Sequence, residues 1–203
     1  TPTPTPPIPG DDECFGTDMD LLLVVDTSWW TYETTSYLRE LVDFIDNIPT
    51  CPSETIRFAL VTFGETASLQ IPFNQNANIQ TIESALSSIQ ANGWESNLDS
   101  AFSLAQSQVF SQSNPGVRKA VFVSAARDHP NAVSAANQLK NSGVTIAAYG
   151  FKRGSESNNW VSSISSDDTL SYTSTDSDEV ISSLTADTTS FVDDLRNIFG
   201  IEA

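Results

Sequence analysis

The chain has 203 residues, of which 39% are hydrophobic, which is enough for one well-buried domain but short for two. Its 26 acidic residues against 9 Lys and Arg give a formal net charge of -17, and this charge repels nucleic-acid phosphates and anionic membrane surfaces. No apolar run reaches the roughly 18 residues that a membrane-spanning helix needs. We therefore expect neither a nucleic-acid partner nor membrane insertion.

The chain opens on TPTPTPPIP, an alternation of Thr and Pro that favours an extended, polyproline-like spacer. The composition is typical of O-glycosylated stalks and equally of a disordered end. We interpret residues 1–13 as a disordered stalk or linker and residues 14–203 as one folded domain.

The stretch from Met19 to Trp30 is the most informative one. A run of Leu and Val that ends abruptly in Asp26, Thr27 and Ser28 predicts a strand buried on both faces. Ligands of open α/β sheets bind beyond the carboxyl ends of such strands, so these polar residues are candidates for a site.

Strand and helix patterns alternate along the rest of the chain. We predict strands at 56–63, 67–73, 119–124, 144–151 and 170–173, and helices at 32–48, 79–89, 98–109, 131–140, 160–164 and 176–199. Ser96 is the predicted N-cap of the helix at 98–109. Pro72 places the strand at 67–73 at an edge. The predicted class is doubly wound, Rossmann-like α/β, with a mostly parallel six-stranded sheet, one antiparallel edge strand and helices on both faces.

Cys14 and Cys51 flank the first strand and the first helix. If that helix returns antiparallel to the strand, its end lies beside the start of the strand, and the two thiols meet. We expect a disulfide and hence an oxidising compartment, with two separate buried thiols as the alternative.

Several stretches together resemble the von Willebrand factor A (vWA, or integrin I-like) family. They are DLLLVVDTS, RFALVTFGETA, GWESNLDSAF and LKNSGVTIAAYGF, in an order that matches the family from about Asp18 to Phe199. The resemblance implies a metal-ion-dependent adhesion site (MIDAS) at the carboxyl edge of the sheet. The family builds it from an Asp-x-Ser-x-Ser loop, a Thr before the third helix and an Asp at the end of the fourth strand, which suits a hard cation such as Mg²⁺.

This chain matches that site only in part. Asp26 and Ser28 stand at the first two positions, and Ser96 replaces the family's Thr with another hydroxyl. The third loop position is Trp30, whose indole offers no oxygen ligand. The last Asp falls on Ala125, or on Ala126 after a shift of one residue.

We therefore expect a vestigial adhesion site with no bound metal and no cofactor. If a cation such as Mg²⁺ does bind, Asp26, Ser28 and Ser96 are its expected ligands. Nearby Glu95, Asp99 or Asp128 would then compensate in part for the lost carboxylate.

An aromatic patch is the predicted replacement for the metal. Trp29, Trp30 and Trp94 lie, beside Tyr32, on the two loops that form the upper face of vWA domains. Such rings bury large areas at small entropic cost, and they also stack on sugars. The alternative is that the rings fold inward and fill the space of the lost ligands.

His129 is the one histidine of the sequence, so a Ser-His or Cys-His catalytic pair has only this residue to draw on. Because it precedes Pro130 at a predicted helix start, we expect it to be exposed. Trp160, in a short apolar helix, is expected to pack in the core.

The sequence thus predicts an extracellular, non-enzymatic adhesion module, secreted or on a stalked surface protein. It would bind a protein or glycan partner, with further modules in a longer chain. One alternative is a metal-dependent PIN-type nuclease, because VVDTS also resembles the start of that fold; Asp26 would act there with Glu40, Asp99 and Asp128. The other is a structural matrix or spacer domain.

Overall fold

A computed structural model of the chain describes residues 18–32, 35–48, 55–73, 77–91, 93–127, 129–151, 159–173 and 180–199. The Thr/Pro stretch, Cys14, Cys51 and Asp128 lie outside the described residues, and so does the predicted disulfide. Among the described residues, one sheet contains six strands: β1 (Met19–Asp26), β2 (Ile56–Phe63), β3 (Ala67–Ile71), β4 (Arg118–Ala126), β5 (Val144–Phe151) and β6 (Ser171–Thr173).

Strand β1 lies in the middle of this sheet. All eight of its residues are buried, and it pairs in parallel with β2 on one side and β4 on the other. The strand order is β3-β2-β1-β4-β5-β6, and only the β2–β3 pair is antiparallel. This confirms the predicted mostly parallel sheet, with its antiparallel strand at the edge.

Helices cover both faces of the sheet. They are α1 (Trp29–Tyr32), α2 (Thr35–Asp46), α3 (Ile79–Ser88), α4 (Leu98–Leu104), α5 (Ala132–Asn141), α6 (Trp160–Ile164) and α7 (Val180–Phe199). One apolar cluster joins Leu21 and Leu23 of β1 to α2, α3 and α7, while Leu22 and Val24 face α4, α5 and α6. The alternation of β1 side chains thus produces two cores. Among the described helices, none is both long enough and apolar enough for a bilayer span.

Two predicted helices differ from the observed ones. The helix expected over 32–48 is preceded by α1, a single turn that begins three residues earlier. The helix expected over 98–109 is regular only to Leu104 and continues as a π-helical turn (Ala105–Val109) and a 3₁₀ turn (Phe110–Gln112). Apolar side chains remain buried throughout, so the periodicity predicted the buried face but not the change in winding.

The predicted N-cap of α4 was wrong by one residue. Asn97 caps the helix, because its side-chain oxygen accepts a hydrogen bond from the Ser100 N–H at 3.2 Å. Asn and Ser are comparable N-caps, so sequence preference did not separate them. Ser96 is left available for a contact elsewhere.

Candidate functional site: the upper face

Asp26 lies at the point where the strand order reverses. The chain runs from β1 outward to β2 and β3 and then returns to β4 on the other side of β1. Ligands of doubly wound sheets bind at such switch points, beyond the carboxyl ends of the strands. The described residues of the loops at this edge are 27–32 after β1, 64–66 after β2, 93–97 before α4, and 127 and 129–131 after β4, and together they form the upper face.

The Asp26 carboxylate is fully buried and accepts three hydrogen bonds. Its Oδ1 accepts from the Ser28 N–H at 2.9 Å, and its Oδ2 accepts from Ser96 Oγ at 2.8 Å. The Ala126 N–H also donates to Oδ2, at 3.3 Å. One side chain therefore joins three segments of the upper face.

Burial has an electrostatic cost for this carboxylate. It raises the pKa of Asp26 from 3.8 to about 6, although the hydrogen bonds from Ser28, Ser96 and Ala126 lower it. The three donors thus compensate for burial only in part. Asp26 is accordingly a buried charge stabilised by O–H and N–H dipoles.

Backbone hydrogen bonds hold the same loops together. The Thr27 N–H donates to the Phe63 carbonyl at 2.6 Å, and the Trp29 N–H donates to the Gly93 carbonyl at 3.0 Å. The Asn97 N–H donates to the Gly64 carbonyl at 2.8 Å. The loop before α4 is therefore connected both to the loop after β1 and to the β2–β3 turn.

The residues present fit a tightly bound divalent cation poorly. Asp26, Ser28 and Ser96 supply one carboxylate and two hydroxyls, which is the lower end of the oxygen set that Mg²⁺ uses, and the Ser96 hydroxyl is already bonded to Asp26. The Ser28 hydroxyl is buried without a hydrogen-bond partner among the described residues, so one oxygen could serve as a ligand. At Ala126, one of the two positions at which the resemblance places the family's last Asp, the backbone N–H is directed at Asp26. A donor in that place disfavours a cation.

Two of the three predicted tryptophans form a stacked pair on the surface. The ring centroids of Trp29 and Trp94 are 5.4 Å apart with an interplanar angle of 18°. Trp29 is 39% exposed and Trp94 is 69% exposed, so this tryptophan pair does not fill the space of the lost ligands. Trp30 belongs to α1, and its side chain lies outside the described part of the structure.

A pocket of about 410 Å³ opens on the upper face. We call it the acidic pocket. The lining residues that matter below are Glu65, Glu95, Ser96, Asp99, His129 and Asn131. Glu65 was missed by the sequence analysis, although its place directly after β2 puts it at the same edge of the sheet.

The expected exposure of His129 was wrong. Its side chain is 5% exposed, and the ring lies edge-on to Trp160 and Phe63, with centroid separations of 5.0 and 6.0 Å. Its Nε2 lies 3.0 Å from the Ala126 carbonyl. These contacts bury the ring beneath the upper face, which a position before Pro130 did not indicate. Trp160 packs in the core as predicted, at 2% exposure.

The nuclease alternative gains no support from the geometry. A PIN-type site needs several carboxylates around its metal ions. Among the described residues, no group of three His, Cys, Asp or Glu side chains is placed to share a metal ion. Asp99 is exposed, while Asp128 and the side chain of Glu40 lie outside the described part.

Solved structures share this fold at low identity. Proximal thread matrix protein 1 (PTMP1) from the mussel byssus, in a structure with a zinc-occupied MIDAS motif, matches with a TM-score of 0.75 and 18% identity. The match covers 90% of this chain and 46% of PTMP1, so the chain spans about half the length of that protein.

Two more distant structures agree. Manganese-loaded TRAP of Plasmodium vivax matches with a TM-score of 0.64 and 18% identity over 83% of this chain and 72% of TRAP. BatB of Bacteroides thetaiotaomicron matches with 0.61 and 15% over 86% of this chain and 98% of BatB. These similarities show the fold.

Sequence comparison gives the family. No curated protein sequence matches the chain significantly. The family model of the von Willebrand factor type A domain matches residues 20–187, which include all of β1 except Met19, strands β2 to β6 and the loops of the upper face. The chain therefore belongs to the von Willebrand factor type A family.

Proposed function

We propose that this vWA domain is an extracellular, non-enzymatic binding module that recognises a protein or glycan through its upper face without a bound metal ion. Domains of this family commonly mediate adhesion or protein binding, and their usual site lies at the same edge of the sheet. The finer features of the proposal depend on what this chain places at that edge.

The observation that carries the proposal is the exposed tryptophan pair. Indole rings with 39% and 69% exposure offer a large apolar area that a monomer would ordinarily bury. The rings are stacked, and the Trp29 N–H is bonded to the residue before Trp94, so little ordering is required when a partner binds. A preorganised aromatic surface of this kind is typical of a binding hot spot.

The metal-free part of the proposal is supported by the Asp26 network. In a metal-dependent site a cation offsets the charge of such a carboxylate. Here the N–H groups of Ser28 and Ala126 and the hydroxyl of Ser96 take that role. Recognition would then depend on protein groups alone and would persist in the presence of a chelator.

The experiment is a binding screen of the full chain against immobilised matrix proteins and a glycan array, in Mg²⁺ and in EDTA. We expect at least one partner to be retained equally in both buffers. Trp29→Ala, Trp30→Ala and Trp94→Ala should weaken that binding, by about tenfold for the rings that contact the partner.

Ile198→Ala removes a similarly exposed apolar side chain from α7 and serves as the control. Binding that is lost in EDTA, or that survives all three tryptophan changes, contradicts the proposal.

A structural matrix role is the second candidate. The favouring observation is the mussel relative, a matrix protein by name, which shares the fold over 90% of this chain. Self-association through the tryptophan pair would produce concentration-dependent sedimentation without any other partner, and Trp94→Ala would abolish it.

A further inference from the structure

The acidic pocket contains negative charge that the Asp26 network does not use. Glu65, Glu95 and Asp99 are all exposed. No ion pair or side-chain hydrogen bond of these three carboxylates occurs within the described part of the chain. The residues that line the pocket include no Lys or Arg. Negative charge is therefore concentrated in a concave site that has no counterion among the described residues.

The volume of the pocket and the distances between its carboxylates favour an organic cationic group over a metal ion. No three carboxylate, imidazole or thiol groups of the described chain converge closely enough to hold one ion. The volume of about 410 Å³ instead lies within the range of pockets that receive whole organic groups, roughly 300 to 1,000 Å³.

The acidic pocket adjoins the tryptophan pair. Glu95 directly follows Trp94, and Glu65 packs so closely on Gly93 that a Cβ built there would lie 2.8 Å from the Glu65 Cβ. Gly93 in turn accepts the hydrogen bond from the Trp29 N–H. Carboxylates and exposed indole faces therefore belong to one preorganised surface. A planar guanidinium can stack on an indole and also pair with a carboxylate, which suits Arg better than Lys.

We infer that the upper face binds a basic segment of a partner protein, with an Arg side chain in the acidic pocket and neighbouring residues on the tryptophan pair. This inference rests on the proposed function and specifies the partner's chemistry. It reverses the charge preference of a metal-dependent adhesion site, which attracts an acidic partner. The formal charge of -17 on the whole chain would add long-range attraction for such a segment.

The probe is a fluorescein-labelled Gly-Arg-Gly-Arg-Gly peptide, with Lys and Glu versions for comparison, and the readout is fluorescence anisotropy. We expect the Arg peptide to bind best, the Glu peptide not to bind, and affinity to fall as salt rises. Glu65→Gln/Glu95→Gln should weaken Arg-peptide binding about five- to tenfold, as the loss of two exposed ion pairs would. Asp99 is left unchanged because it lies in the first turn of α4, where its charge also supports the helix.

The control variant must change the net charge equally. Asp43→Asn/Asp168→Asn does so at exposed positions on α2 and in the 3₁₀ turn before β6. An equal loss in both double variants would mean non-specific attraction and overturn the inference, as would no binding of the Arg peptide. Displacement of the peptide by Ca²⁺ at the same carboxylates would make the pocket a metal site and overturn it too. Failure here, with tryptophan-dependent binding intact in the screen, would leave the proposed function standing.

Discussion

Ser96 Oγ donates a 2.8 Å hydrogen bond to Asp26 Oδ2, and this bond joins residues 70 positions apart at the centre of the upper face. In metal-dependent relatives a hydroxyl at this position is a metal ligand. Here the same hydroxyl stabilises the carboxylate directly. In the proposed metal-free state, this hydrogen bond would help to retain the charge of Asp26 inside the protein.

Removal of the Ser96 hydroxyl should destabilise the fold. In Ser96→Ala, a buried carboxylate loses one of three donors, which costs about 1 to 3 kcal/mol. The free energy of unfolding from urea titration at pH 7 measures the loss. The loss should shrink at pH 4, where Asp26 is protonated in the folded state.

Ser103→Ala is the matched control for that change. Ser103 is exposed on α4, so its replacement should change the free energy of unfolding by less than about 0.5 kcal/mol. Equal effects of the two changes would show that the bond between Ser96 and Asp26 contributes nothing to stability.

Asp26 should make the free energy of unfolding fall as pH rises. An ion-paired carboxylate has the opposite effect. Its pKa in the folded state is about 6, above the ordinary value of 3.8, so the folded state holds the proton more tightly. The resulting contribution to the stability of the folded state is fully present below pH 3.8 and is lost as pH rises through about 6. The whole shift corresponds to about 3 kcal/mol.

The measurement is the difference in unfolding free energy between the wild type and Asp26→Asn from pH 3.5 to 7.5. The difference removes the contributions of the other carboxylates, because both proteins contain them. Relative to the variant, the wild type should lose stability with rising pH, mostly between pH 4 and 6.5. A flat difference would mean that Asp26 has an ordinary pKa.

The sheet could be predicted because its signals are local. Strand β1 is a continuous apolar run, and Pro72 marks the edge strand, so pattern and topology agreed. For the candidate site, the sequence indicated positions that single residues mark, such as Asp26 and Ser28 at the end of β1.

The remaining contacts join residues from different loops. The hydrophobic periodicity of the sequence gives no information about the distances between such residues. The Ala126 N–H at Asp26, Glu65 against Gly93 and the burial of His129 all join different loops. Ser96 shows this limit, because the sequence indicated both a capping role and a place beside Asp26, and only the structure shows that Asn97 caps α4 while the Ser96 hydroxyl donates to Asp26.

Peptide mapping tests the predicted disulfide directly. We expect non-reducing peptide mapping to recover Cys14 and Cys51 in one linked pair of peptides. If the bridge forms, its reduction should lower the free energy of unfolding by up to about 4 kcal/mol, because it closes a loop of nearly 40 residues. Two freely alkylated thiols in the purified, unreduced protein would rule the bridge out.

Metal binding should be absent in the wild type and partly restorable. Titration calorimetry of the chelator-stripped protein with Mg²⁺, Mn²⁺ and Ca²⁺ should show no heat of specific binding up to millimolar concentrations.

Trp30→Ser/Ala126→Asp adds the missing hydroxyl and carboxylate and should produce millimolar or tighter Mg²⁺ binding. Ala126 is chosen over Ala125 because its N–H already reaches Asp26. The same double change on an Asp26→Ala background should remain silent, and tight Mg²⁺ binding by the wild type would contradict the metal-free site.

Gly93 should tolerate replacement less well than Gly116. Its φ is +77°, and an added Cβ would lie 2.8 Å from both Cβ and Oε2 of Glu65. Gly116 shares the left-handed backbone, with φ +82°, but an added Cβ there meets nothing within 4 Å. Gly116→Ala therefore measures backbone strain alone, about 1 to 2 kcal/mol, and Gly93→Ala should cost more in thermal or urea unfolding.

Because Gly93 joins Trp29, Trp94 and Glu65, its replacement should also weaken partner binding, whereas Gly116→Ala should leave binding unchanged. Equal costs in the two variants would mean that the contact between Gly93 and Glu65 does not hold the upper face together.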